Sequence, residues 1–567
     1  MKNYLKTSLV FFLLPFASCN KSLLQPATGQ AAFSKSGSTR PLAAGVTTSY
    51  YIDNINGNDD HDGESPATAW KTVGKVNTVT FVAGNQILFK AGGSWTNQLH
   101  PLGSGASGSP IVISSYGSGA RPLIQGNGVA NGTVYLNNQS YWEVRNLEIT
   151  NYQSSEEGGI SLSTWETNNT NNFANAVTVQ PEASNTNSVK LGVFITVQDI
   201  GNVNHIYLHN LLIHGINGLL DNNSVTSRNN GGIFFQVTGT ATPTFFNDIL
   251  VDSCTIHDVD HTGMFFQSSW ATRTLTTSTN WTPSTNIFIR ANTFYNTGGH
   301  ALIVRVASSP LMEHNLFDHC SIKVTGNAAF NFNTDDAVWQ YNESRYTKAN
   351  TGDSDAGGID ADFQTKRTLI QYNFLHNNDY GLLITGGNGS TNFNDGTIVR
   401  YNLIEKDGQQ PHPSNGKFSF KVSGHATNTH VYNNTIDVGP SQDATNIILH
   451  SQWVAWPANT LYYNNIIDNS GTNSAYSLGS STGNNFDYNT FYKNAATAQP
   501  TQTHNITGDV KFVNSGLGTP DGFKLLNGSV ALSDGKVLST NGGLDYFGNT
   551  VSTTAPSNLG FYGGPGL

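Results

Sequence analysis

Two carboxylates one residue apart, Asp360 and Asp362, stand in the phrase Gly358-Ile359-Asp360-Ala361-Asp362-Phe363, and a second acidic pair, Asp335-Asp336, precedes them. Such pairs suit two chemistries. One carboxyl acting as acid and the other as base or nucleophile can break a glycosidic bond. A cluster of four hard oxygen donors, Asp335, Asp336, Asp360 and Asp362, would instead hold calcium. Arg305, Lys366 and Lys421 are the cations placed to exchange a proton beside such a cluster. His300 follows two glycines at the start of an apolar run, where it either takes part in chemistry or caps a turn.

These residues must be positioned by a repeating element. A phrase of apolar residues, an Asn and a further apolar pair recurs through the chain. It is seen at Ile289-Arg290-Ala291-Asn292-Thr293-Phe294, Ile370-Gln371-Tyr372-Asn373-Phe374-Leu375 and Val399-Arg400-Tyr401-Asn402-Leu403-Ile404, and again around Asn434, Asn465 and Asn489. A repeat of roughly 20–30 residues made of short strands is the mark of a β-solenoid. Each coil reads as three strands, with Asn373 and its equivalents bending the chain and stacking as a ladder. Alternation along the strand after Gly358 points Ile359 and Ala361 inward and Asp360 and Asp362 outward. The same reading one coil earlier turns Phe330 and Phe332 inward and presents Asn331 and Asn333 to substrate, with Gln236 and Gln267 from earlier coils. Outward residues i and i+2 are about 6.6 Å apart, within the ~6.5–9.5 Å of an inverting carboxylate pair. His257 and His261 read as structural hydrogen-bonders, since no further ligand is spaced to complete a tetrahedral zinc site.

The net charge of −10 argues against nucleic acid as a partner. Gly 58 and only 12% charged residues fit many short strands joined by polar turns, and runs rich in helix formers are absent. Residues 152–200 and 268–284, rich in Asn, Ser and Thr, read as loops inserted on one face. Lys2 and Lys6, the apolar run Leu9–Phe16 and Ala17-Ser18-Cys19 resemble a bacterial lipoprotein signal over residues 1–19, with Cys19 the lipidated residue. That implies export to the cell envelope and a lipid anchor in a membrane. Residues 20–47 then form a tether, 48–503 a solenoid with its N-terminal cap, and 504–567 a C-terminal cap. Cys254 and Cys320 lie several coils apart and read as buried thiols in a monomer.

The opening Gly57-Asn58-Asp59-Asp60 to Ala69-Trp70-Lys71-Thr72, the segment Gly357–Asp362 and the corner His376-Asn377-Asn378-Asp379 resemble the right-handed parallel β-helix superfamily of pectate-lyase-like proteins over roughly residues 48–567. The resemblance implies an all-β fold of three short parallel sheets and about a dozen coils, and a polysaccharide as partner. In its calcium-dependent lyases a basic residue near an Asp cluster removes the proton. Transferred here, that implies β-elimination of an acidic glycan, with Lys421, Lys366 or Arg305 as base. Hydrolysis by Asp360 and Asp362 is the alternative, and glycan binding without cleavage is the other. The Asp-Asp-Gly-Phe-Asp signature of one lyase family is absent, and Gly299-His300 precedes Asp335-Asp336, the reverse of the polygalacturonase order.

Overall fold

The computed structural model describes residues 47–175, 185–221, 225–349, 355–408, 417–440 and 445–567. The signal, Cys19 and all but the last residue of the expected tether lie outside them. The chain winds as a right-handed parallel β-helix. In one coil Ala329–Asp335 forms the first face, Val338–Gln340 the second and Glu343–Arg345 the third. The next coil repeats this with Ile359–Ala361, Leu369–Gln371 and Phe374–His376, each paired in parallel with its predecessor. The third face stacks thirteen strands, one per coil. The other two faces are linked into one sheet of 28 strands at a single place, where Ser284–Arg290 of the second face pairs at its start with Leu302–Ser308 of the first and further on with Leu311–Glu313 of the second. Corner strands such as Thr365–Lys366 and Asn394–Asp395 extend the first face by pairing between coils.

The recurring Asn does a different job from the one its conformational tolerance suggests. The left-handed residue at this corner is the one before it: Ala291, His314, Tyr341, Tyr372, Tyr401, Asn433, Asn464 and Tyr488 all have φ between 50° and 57°. A left-handed conformation costs a non-glycine residue about 1 kcal/mol or more. The Asn itself is buried, and its backbone N–H and Nδ2 both donate to the Oδ1 of the Asn one coil on. Asn373 donates to Asn402 at 2.9 Å twice, and Asn402 to Asn434 at 3.0 and 2.9 Å. The ladder runs from Asn292 to Asn489 and ends on Gln502 Oε1. It converts a strained, buried corner into one whose polar groups are paired.

Two insertions depart from the expectation. Within 152–200 lies a helix, Leu162–Asn175, begun where Ser161 Oγ accepts the Thr164 N–H at 3.2 Å. The same span also holds Leu191–Gln198, a regular strand of the first face. Residues 268–284 carry a hairpin, Ala271–Arg273 against Ser278–Trp281. Among the described residues Cys254 and Cys320 are buried and unpaired, and no helix is long and apolar enough to cross a membrane.

Candidate active site

Where the loops from the third face enter the first, a pocket of about 350 Å³ opens. Its titratable lining is Asp355, Asp360, Asp362, Arg228, Arg305 and His300. Register explains part of this. Phe330 pairs with Asp360, Asp360 with Leu383, and Leu383 with Lys421. All four side chains therefore share one outward row at successive steps of about 4.8 Å. The entering loop is held close because position 357 is glycine. A Cβ there would lie 2.5 Å from the Gly381 carbonyl oxygen.

The same register corrects the expected parity of the preceding coil. Phe330 and Phe332 face the pocket and Asn331 faces the core. A one-residue misreading moves every side chain to the opposite face. Asn331 is buried because its amide is satisfied there. Nδ2 donates to Thr334 Oγ1 at 2.8 Å and Thr368 Oγ1 at 3.0 Å, and Oδ1 accepts from Trp339 Nε1 at 2.8 Å. Asn333 is also buried, takes φ 55° and donates to the Ala271 carbonyl of the inserted hairpin. Neither lines the pocket. Gln236 and Gln267 pair on the first face nearby, but neither lines the pocket. Gln236 accepts from Thr196 Oγ1 at 3.3 Å.

The expected four-carboxylate calcium cluster does not form. Asp335 is taken by Arg273 at 2.7 Å, and Asp336 receives both Nε and Nη2 of Arg367 at 2.7 and 2.8 Å. Arg273 reaches Asp335 from the inserted hairpin, a partner invisible from local sequence. Lys366 stands beside Asp335 on the corner with its Nζ over the Phe393 ring at 5.6 Å, and it too is outside the pocket lining.

The three remaining carboxyls sit among three cations. Burial pushes Asp360 well above the usual carboxylate range, and the charges of Asp362 and Asp355 add to this against the Thr385 hydroxyl. Both Asp360 oxygens are engaged, Oδ2 by Asn327 Nδ2 at 3.2 Å and Oδ1 by Thr385 Oγ1 at 3.2 Å. Asp362 is less enclosed. Burial raises it to about 7 with help from Asp355, opposed by the Phe363 N–H at 2.7 Å and by Arg305 and Arg228. Burial raises Asp355 as well, while Arg228 and Lys421 pull it back. Three such carboxyls at one pocket cannot ionise together. Burial lowers Lys421 against the pull of Asp355 and Asp360, and lowers Arg305 to about 10. Arg305 lies over the Phe332 ring at 4.2 Å and keeps its proton at neutral pH, so it is not the expected base.

His300 is 1% exposed, and its Nδ1 accepts the Asn327 N–H at 3.1 Å. Nδ1 also lies 3.3 Å from the Asn327 carbonyl oxygen, but the fixed Asn327 N–H makes the shorter contact and sets the ring hydrogen on Nε2, which has no partner among the described residues. Burial holds the ring far below its usual pKa, so it is a neutral hydrogen-bond donor at the pocket and not a base. Beyond it the pocket is aromatic. Phe363 packs edge-on to both Phe332 at 4.5 Å and Trp453 at 5.3 Å, and Trp453 is 44% exposed at the rim. Arg228 and Asp355 escaped the sequence reading because they come from loops with no periodic position, whereas Trp453 was legible as an aromatic able to stack on a sugar ring.

No family model matches the chain. It is 26% identical to the lacto-N-biosidase of Bifidobacterium longum subsp. longum over 92% of its own length and 37% of the relative's. The chain thus spans little more than a third of that enzyme. Two crystal structures of the GH136 lacto-N-biosidase of Eubacterium ramulus, the selenomethionine derivative and the native protein, match with TM-scores of 0.52 and 0.51 at 23% identity. Each match covers 71% of this chain and 67% of that one, a likeness of fold. The expectation of a lyase is overturned here. The sequence relative is a glycoside hydrolase, and two of the four carboxylates assigned to calcium, Asp335 and Asp336, are spent on arginines.

Proposed function

We propose that this chain is a glycoside hydrolase of the lacto-N-biosidase type, acting through Asp362 and Asp355. The observation that carries the reading is one pocket lined by three buried carboxyls beside two arginines, with Asp362 raised to about 7. Glycosidases need one carboxyl protonated and one ionised at the working pH. Asp362 would protonate the leaving oxygen. Asp355, beside Arg228 and Lys421, would face the positive charge that develops at the anomeric carbon. Asp360, neutral and fastened at both oxygens, positions its neighbours instead of reacting, which replaces the expected Asp360–Asp362 pair. His300 Nε2–H would donate to a sugar hydroxyl, and Trp453 with Phe363 would lie against a sugar face.

The test compares two lacto-N-biosides, one with a sugar aglycone and one with a dinitrophenyl leaving group that needs no protonation. Asp362→Ala should lose the first activity and keep much of the second, whereas Asp355→Ala should lose both. The opposite pattern would exchange the two roles. Release of no disaccharide by the wild-type chain, or full activity in both variants, would sink the proposal.

A further inference from the structure

Away from this pocket, the third face carries a cluster that the glycosidase reading does not use, and it supplies His257 with the ligand neighbours that its local sequence lacks. His214, on Leu212–Ile216, and His257, on Thr255–Val259, are register partners on adjacent coils, with rings stacked at 4.9 Å and 14°. Glu166, from the inserted helix Leu162–Asn175, comes down onto them. One ligand atom from each of the three lies within 4.8 Å of the other two. We propose that Glu166, His214 and His257 bind a divalent transition-metal cation of the zinc class, which fastens the inserted helix to the solenoid.

The outer partners are already arranged as a metal site requires. A ligating imidazole typically donates its second nitrogen to a carboxylate that fixes tautomer and orientation. His257 Nδ1 meets Asp258 Oδ2 at 2.7 Å, which leaves Nε2 as the ligand nitrogen. His214 Nε2 meets Glu148 Oε1 at 3.1 Å, which leaves Nδ1, now 2.6 Å from Glu166 Oε1. Two imidazoles and one carboxylate, with water as fourth ligand, are a borderline donor set that suits zinc better than calcium or magnesium. Metal–ligand bonds of about 2.0–2.1 Å put tetrahedral ligand atoms about 3.4 Å apart, so closure needs side-chain movements on the order of 1 Å.

A role as a fastener follows from what the three ligands join, two coils of the solenoid and the inserted helix. The helix also touches the solenoid through Asn169 Nδ2 to Asp258 Oδ1 at 3.1 Å, Asn296 Nδ2 to Thr170 Oγ1 at 3.2 Å, Lys323 Nζ over Trp165 at 4.4 Å, and Trp165 against Tyr152 at 5.7 Å. A cation bound to the solenoid and the helix together would stabilise the docked state by mass action.

The experiment uses the full chain with any affinity tag removed, stripped with chelator, exposed to zinc alone and dialysed, with bound metal measured by mass spectrometry. We expect about one zinc per chain, and slower proteolysis within residues 152–190 when it is bound. Glu166→Gln leaves the solenoid untouched and should weaken zinc binding at least tenfold. Asp258→Asn, which disturbs only the outer partner of His257, should weaken it about 10–100-fold. Zinc retained equally by wild type, Glu166→Gln and His257→Ala would overturn the proposal, as would no zinc retained by the wild type. Should His257→Ala fail to fold, the helix variant alone decides.

Discussion

Replacing Asp362 with Asn should make the protein more stable and almost inactive at once. The Asp362 carboxyl rises from 3.8 to about 7, mainly through burial. The sign follows from linkage. A carboxyl whose folded pKa exceeds its unfolded value is ionised more readily in the unfolded chain, so it destabilises the fold increasingly as pH climbs from about 4 to 7. At ~1.36 kcal/mol per pH unit, the full rise corresponds to about 4 kcal/mol above pH 7. Asp362 is partly exposed and shares its repulsion with Asp355, so roughly half, ~2 kcal/mol, is the expected gain for an uncharged amide of the same shape. Calorimetry at pH 4 and pH 8 reads this directly: wild type and Asp362→Asn should melt together at pH 4, and the variant should melt higher at pH 8. Cleavage of a substrate with a sugar aglycone should fall by about 10²–10⁴ at every pH, the usual contribution of a positioned proton donor. The alkaline limb of the wild-type profile, set near pH 7, should vanish in the residual activity. A variant that melts lower than wild type at pH 8, or that keeps its activity, would refute the account of Asp362 as a carboxyl held protonated for catalysis.

Asn402→Ala removes the acceptor of two donors from Asn373 and the donor to the Ile370 carbonyl, all buried. Urea unfolding should show a loss of about 2–4 kcal/mol, the cost of leaving such groups unpaired, and a loss below 1 kcal/mol would mean that the ladder is incidental. Trp453→Ala should raise KM about 2–10-fold with little change in kcat, the worth of one aromatic contact, and leave the melting temperature unchanged because the ring is exposed at the rim.

The architecture was legible because each coil repeats the same corner, and the spacing of Asn292, Asn315, Asn373 and Asn402 is that corner seen in sequence, to which the structure adds Asn342. The stacking of the Asn as a ladder was legible too, but its part in bending the chain was misassigned. Its tolerance of left-handed geometry suggested that it makes the turn, whereas the turn is made by Tyr372 or Tyr401 and the Asn supplies the amide that pairs across coils. Asp360, Asp362, Arg305 and His300 were found because they lie on or next to periodic strands. Asn331 and Phe330 were reversed because apolar side chains were assigned inward by default. Aligning Ala329 with Ile359 gives the correct parity, since it sets Phe330 beside Asp360. Asp335 and Asp336 misled for another reason. Their partners Arg273 and Arg367 come from a hairpin and from the next coil, and local acidity looks the same whether or not a cation neutralises it.

These errors share a cause that also bears on how the molecule divides its work. In a solenoid each coil contacts only its neighbours, so stability is close to a sum over coils and can be held at one corner while another corner varies. Asn342, Asn373 and Asn402 carry the paired corner through the coils that also hold Asp360, and their bonds do not involve the pocket. The carboxyls that destabilise this stretch sit where loops enter the first face, and those loops follow no period. Stability is thus written in the periodic part of the sequence, and reactivity partly in what interrupts it. Asp355 and Arg228, contributed by loops, share one pocket with Asp362, contributed by the strand row, and their charges oppose one another there.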